Sequence, residues 1–85
     1  MPTISHFQGV DIIMRVRDHR PPHFHVKYGE RIASIEIGTW NYAAGELPNR
    51  VYKLVVNWGK SHEAELKENW QRTERGELPE KIRGF

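Results

Sequence analysis

Eighty-five residues with no cysteine leave room for one small domain, held by neither a disulfide nor a thiolate zinc site. Thirteen Lys and Arg against eleven Asp and Glu, interspersed and summing to +2, neither require nor exclude a nucleic-acid partner, because phosphate binding works through clustered cations. No apolar run approaches the ~20 residues of a membrane span, and MPTISHFQGVDII lacks the basic start and apolar stretch of a secretion signal, so a cytoplasmic chain with no membrane partner is expected.

No repeat or linker divides the chain, so residues 1–85 read as a single domain; a homodimer or a partner chain would be an economical way to cover extra apolar surface. TISHF (3–7) and VDIIMRVR (10–17) flank a turn signal at Gln8-Gly9. A two-residue loop there sets Phe7 opposite Val10, His6 opposite Asp11 and Ser5 opposite Ile12. Side chains alternate along a strand, so Phe7, Val10, Ile12, Met14 and Val16 share one face. Ile4, His6, Asp11, Ile13, Arg15 and Arg17 share the other. Arg20-Pro21-Pro22 then forms a rigid extended connection without donors at either proline.

HFHVKY (23–28) and RIASIEI (31–37) follow, joined at Gly29-Glu30, where glycine in the first loop position suits a type II′ hairpin. That register pairs Val26 with Ala33 and Phe24 with Ile35 on an apolar face. It pairs His25 with Ser34 and His23 with Glu36 on a polar one. GTWNYAAGELPNR (38–50) reads as a loop. Beyond it Val51, Leu54, Val55, Trp58, His62, Leu66, Asn69 and Thr73 form one stripe at helical spacing. The spacing predicts one long helix over 49–75, with Gly59 the place for a kink, ended by Gly76 and Leu78-Pro79. EKIRGF folds back or frays.

The expected fold is therefore α+β: a small antiparallel sheet of about four strands in the order β-β-β-β-α, with one long C-terminal helix packed on one face. The other face is left to water or to a partner. His23, His25 and Lys27 project from it, joined by Ser34, Glu36, His6, Asp11, Arg15 and Arg17.

Three chemistries suit that face. His-x-His on a strand sets two imidazoles about 6–7 Å apart on one side, a pair that holds a divalent metal such as zinc if His19 or Glu36 adds a third ligand. Alternatively, His23 and His25 serve as acid and base in metal-independent RNA cleavage that uses the substrate's own 2′-OH, with Arg15, Arg17 or Lys27 on the phosphate. In the third reading the face binds without chemistry, through Trp40 and Tyr42 exposed in their loop. Against all three stands an ordinary His23–Glu36 cross-strand pair. Asp18 reads as a cap on the turn before the prolines, His62 as a core histidine satisfied by Glu65 or a carbonyl, Trp58 and Trp70 as core, and Asn69 as a polar tether.

DHRPPHFHVKYGE, the opening MPTISHFQGVDIIM and the helical LKENWQRTERGELPEKI resemble a small bacterial family catalogued as domain of unknown function 4160. Asp18, His19, Pro21, Pro22, His23, Phe24, His25, Tyr28, Gly29 and Glu30 match its signature, and Glu65, Asn69 and Trp70 its helical motif. The resemblance implies no particular activity. It does imply a small antitoxin-like protein as partner, from the family catalogued as domain of unknown function 2442, and hence the toxin-like half of a two-protein module acting on RNA. The resemblance supplies no catalytic residue; the reading of the sheet face makes His23 and His25 catalytic, with Lys27 and Arg15 as electrostatic support.

Overall fold

A computed structural model describes residues 2–85, and among them five strands form an antiparallel meander in chain order. These are β1 (Thr3–Phe7), β2 (Val10–Ile13), β3 (His23–Tyr28), β4 (Arg31–Glu36) and β5 (Tyr42–Gly45), followed by helices α1 (Asn49–Ser61) and α2 (Glu63–Glu74). No helix among them is long and apolar enough to cross a membrane.

Both hairpins take the register the alternation requires. Phe7 pairs with Val10 and His6 with Asp11 across a loop in which Gln8 and Gly9 both have positive φ, the primed geometry that matches strand twist. His23 pairs with Glu36, Phe24 with Ile35 and His25 with Ser34, closed by Gly29 at φ +59. A residue with a side chain would pay for that angle; glycine adopts it freely. A register shift between Thr3 and Ser5 turns Ile4 into the core, away from the polar face assigned to it by simple alternation.

Phe7, Val10, Ile12, Phe24, Val26, Ala33 and Ile35 form the buried sheet face, and Val51, Val55, Trp58 and Leu66 the helical side of the same core. Trp58 is its centre, 5.3 Å from Phe7 and 6.2 Å from Phe24 between ring centroids. The tail folds back: Ile82 is buried, its amide donates to the Ile4 carbonyl at 2.7 Å, and Asn69 holds the Glu80 backbone by both amide and carbonyl.

Three expectations need correction. The sheet has a fifth strand, inside the segment read as a loop, because Tyr42–Gly45 pairs with β4 although beyond Tyr42 its side chains are short and exposed. Trp40 is not exposed in that loop but buried, lying over Gly59 and 6.4 Å from Phe24. The long helix is two helices, and the break falls at His62 (φ −121, ψ 24), not at Gly59. Gly59 serves another purpose there. Alanine normally favours a helix over glycine by about 1 kcal/mol, yet a Cβ at 59 would stand 2.5 Å from Trp40 Cζ3. Gly59→Ala is therefore expected to destabilise the fold by roughly 1–3 kcal/mol, read as a lower urea midpoint at constant m-value.

Candidate metal centre

The break at His62 decides what lies over the first residue of β3. Restarted after it, α2 reaches the segment between β2 and β3: the Thr73 carbonyl accepts from the Arg17 amide at 3.0 Å, and Glu74 pairs with Arg20 at 2.8 Å. Trp70 then packs on His23 at 5.3 Å between centroids, and His23 is only 4% exposed. The polar sheet face is thus covered at this end, nearly closed at His25 and Ser34, and open at Lys27 and His6. His23 and His25 do project together, with ring centroids 5.0 Å apart.

What joins them is Asp18. His25 Nε2 stands 2.8 Å and His23 Nε2 3.1 Å from the same carboxylate oxygen, Oδ2. The other oxygen, Oδ1, accepts from the His19 amide at 2.9 Å. The turn-capping reading of this residue holds for one oxygen, Oδ1, while the other, Oδ2, gathers the imidazoles. The donor atoms of Asp18, His23 and His25 all lie within 4.8 Å of one another.

Proton placement follows from the partners. His23 Nδ1 lies 2.7 Å from the Pro21 carbonyl oxygen, which has only lone pairs to offer, so the proton between them belongs to Nδ1. A neutral His23 then aims the lone pair of Nε2 at a carboxylate oxygen. Two electron-rich atoms at that distance need a cation between them, either a second ring proton or a metal ion. On the other ring, Ser34 Oγ lies 3.0 Å from His25 Nδ1 and its hydroxyl serves as donor or acceptor, so His25 is free to present either tautomer to Asp18.

The electrostatics favour the ligand forms of the groups whose pKa moves. Burial alone would raise the Asp18 carboxyl, but the His25 hydrogen bond, the His19 amide and the two imidazoles outweigh it and hold it at about 2, below the ordinary 3.8. Burial first, then the charge of Arg15 and the neighbouring His23, push His25 down toward the neutral form against the pull of Asp18. An ionised carboxylate and a neutral imidazole are the states that bind metals.

The other residues singled out from the sequence are placed around this trio. His19 stands at the rim, its ring 84% exposed and Nδ1 3.0 Å from Asp18 Oδ1, outside the convergent set. Glu36 accepts from the Thr39 hydroxyl. Arg15 acts on His25 through its charge, whereas Lys27, exposed, sits in the next row of the face between Asp11 and Ile32. His62 has the expected partner, its Nδ1 lying 2.7 Å from the Glu65 carboxylate, but it is half-buried at the helix break and not a core residue. Asp18 is the residue that sequence reasoning assigned to the turn alone; its spacing, five and seven positions ahead of the two histidines, was the available signal.

A family model described as Domain of unknown function (DUF4160) matches residues 9–71, from the β1–β2 turn through most of α2, with all three convergent residues inside. No curated protein and no solved structure matches the chain.

Proposed function

The chain belongs to the DUF4160 family, and we propose that it is a divalent-metal-binding domain whose ligands are Asp18, His23 and His25. The observation that carries this reading is the orientation of His23: its proton is committed to the Pro21 carbonyl, and its free nitrogen is aimed at the carboxylate that His25 shares. Each ligand is backed by a partner on its far side, Pro21 O for His23, Ser34 Oγ for His25 and the His19 amide for Asp18. Such backing fixes tautomer and ring orientation at metal sites. Bonds of about 2.0–2.1 Å imply neighbouring donors about 3.0–3.4 Å apart; the carboxylate oxygen stands 2.8 and 3.1 Å from the two nitrogens and the whole set spans no more than 4.8 Å, so small side-chain adjustments would bring the three donors onto one ion.

Two imidazoles and one carboxylate suit zinc, manganese or ferrous iron. Three protein ligands leave positions for water or substrate, as in catalytic rather than structural zinc sites. Bound there, the ion would supply Lewis acidity and an activated water. The chain's own residues would hold and orient it, and Trp70 would keep bulk water from the His23 side. Metal-independent acid–base chemistry on RNA by His23 and His25, with Lys27 and Arg15 as support, is the weaker reading of the same residues. It needs both rings at a scissile phosphate, and His23 lies under Trp70.

Calorimetric titration of chelator-treated protein with Zn²⁺ and Mn²⁺ tests the proposal. One ion per chain is expected. Asp18→Ala and His23→Ala should weaken binding at least about a hundredfold, and Ser34→Ala, which removes only an outer partner, roughly tenfold to a hundredfold. No binding at millimolar ion, or equal affinity in wild type and Asp18→Ala, would overturn it.

A further inference from the structure

His19 borders the centre where it meets solvent: its ring is 84% exposed, while the Asp18 and His25 side chains keep 11% and 12%. The other approaches are taken. Trp70 covers His23, the Pro21 carbonyl lies behind His23 Nδ1, and Ser34 lies behind His25. His19 follows Asp18 in the chain and folds back on it. Its amide donates to Asp18 Oδ1 at 2.9 Å, and its ring Nδ1 stands 3.0 Å from the same oxygen. This fold-back sets the His19 ring 5.2 Å from the His23 ring between centroids, against 5.0 Å for His23 and His25.

Two imidazoles bound to one tetrahedral ion through bonds of about 2.0–2.1 Å stand about 5 Å apart between ring centres. The His19 ring therefore already has the spacing of a fellow ligand. What differs is its aim, at the spare oxygen of Asp18 and not into the space that His23 and His25 share. That aim is held weakly, because a contact made by so exposed a ring competes with water. Rotation about the two side-chain bonds of His19 turns a ring nitrogen from Oδ1 toward the ion, and the His19 amide keeps Oδ1 satisfied when the ring leaves it.

We propose that His19 is the fourth ligand of the Asp18–His23–His25 centre, closing a tetrahedral set of three imidazoles and one carboxylate. The proposal rests on the metal-binding reading and deepens it in two ways. A nitrogen-rich tetrahedral set selects zinc over manganese, which prefers six oxygens. Being the exposed member of the set, His19 is also the ligand that an incoming molecule displaces, so the position left to water or substrate is reached by exchange with this ring.

Co²⁺, which takes zinc's place and reports its own geometry through visible absorption, is titrated into the wild-type chain and His19→Ala, and Zn²⁺ affinity is measured on both by calorimetry. The wild type should give the intense bands of tetrahedral Co²⁺. His19→Ala should give the weak bands of a higher coordination number, filled by water, and lose at least the roughly tenfold in Zn²⁺ affinity that loss of an outer partner costs. Free imidazole added to Co²⁺-loaded His19→Ala should restore the intense bands, a rescue that a merely structural ring would not show. Weak bands in the wild type, or equal spectra and equal affinity in the two chains, would overturn the inference and leave a three-ligand site standing. A loss in His19→Ala that imidazole does not repair would overturn it too, by assigning the ring to the turn alone. Failure of the wild type to bind either ion would remove the metal reading itself.

Discussion

Saturating zinc is expected to raise the melting temperature of the wild-type chain by roughly 15–30 °C and that of Asp18→Ala by no more than about a third as much. An ion at a thousand times its Kd stabilises the folded state by about 4 kcal/mol if it binds only that state. A domain of this size shifts by about 4–8 °C per kcal/mol. The effect is large because the three ligands are brought together only by folding: strand β3 carries two of them, and the third comes from a connection held in place by distant bonds. Asp18→Ala has a cost of its own without any ion. It strips the partner from two imidazole nitrogens that are largely out of water, a loss of roughly 1–3 kcal/mol. The comparison that matters is therefore the shift within each variant, not its starting temperature. Equal shifts in wild type and Asp18→Ala would place the ion elsewhere, among acidic groups such as Glu65, Glu68 and Glu80 beside Asn69, and the centre would be dismissed.

Where the sequence was legible, the information was local. HFHVKY and RIASIEI alternate in step on either side of Gly29, so one turn position sets the whole β3–β4 register and with it the common side of His23 and His25. The family resemblance was likewise carried by contiguous runs, and the match over residues 9–71 agrees with it. What escaped was set at a distance. Tyr42–Gly45 has no alternation and little bulk, and it becomes a strand only because β4 offers a free edge. The stripe Trp58, His62, Leu66 continues through the break at His62, so periodicity alone sees one helix. Alternation put His23 on the polar face correctly, but it carries no information about what packs over the end of that face, where Trp70 of α2 lies 5.3 Å from the His23 ring.

Asp18 escaped for the same reason. Its path is fixed by Met14 N–H on the Pro2 carbonyl and Arg17 N–H on the Thr73 carbonyl, contacts that no window along the chain contains. Spacing showed two imidazoles side by side. Only the fold could show the carboxylate between them.

The second large effect lies in the core, on the other face of the sheet from the imidazoles. Trp58→Ala is expected to cost about 3–5 kcal/mol, a large share of the roughly 5–15 kcal/mol that holds a typical domain. Trp58 is fully buried, packs on Phe7, Phe24 and His62, and donates from Nε1 to the Arg83 carbonyl at 2.9 Å, tying the tail to the core. Phe24 is their link to the centre: it stands between His23 and His25 in β3 but turns its side chain to the opposite, core face, while the centre's own partners are Pro21, Ser34, His19 and Trp70. Substitutions with no shared partner add nearly independently. Zinc at a thousandfold excess over Kd should then return about 4 kcal/mol to Trp58→Ala, close to cancelling the cavity. Urea unfolding of this variant with and without the ion reads the sum directly. A rescue well short of the wild-type stabilisation would mean that the core and the centre are coupled; in that case Trp58→Phe, which keeps an aromatic ring and loses the bond to Arg83, should already show a reduced affinity for zinc.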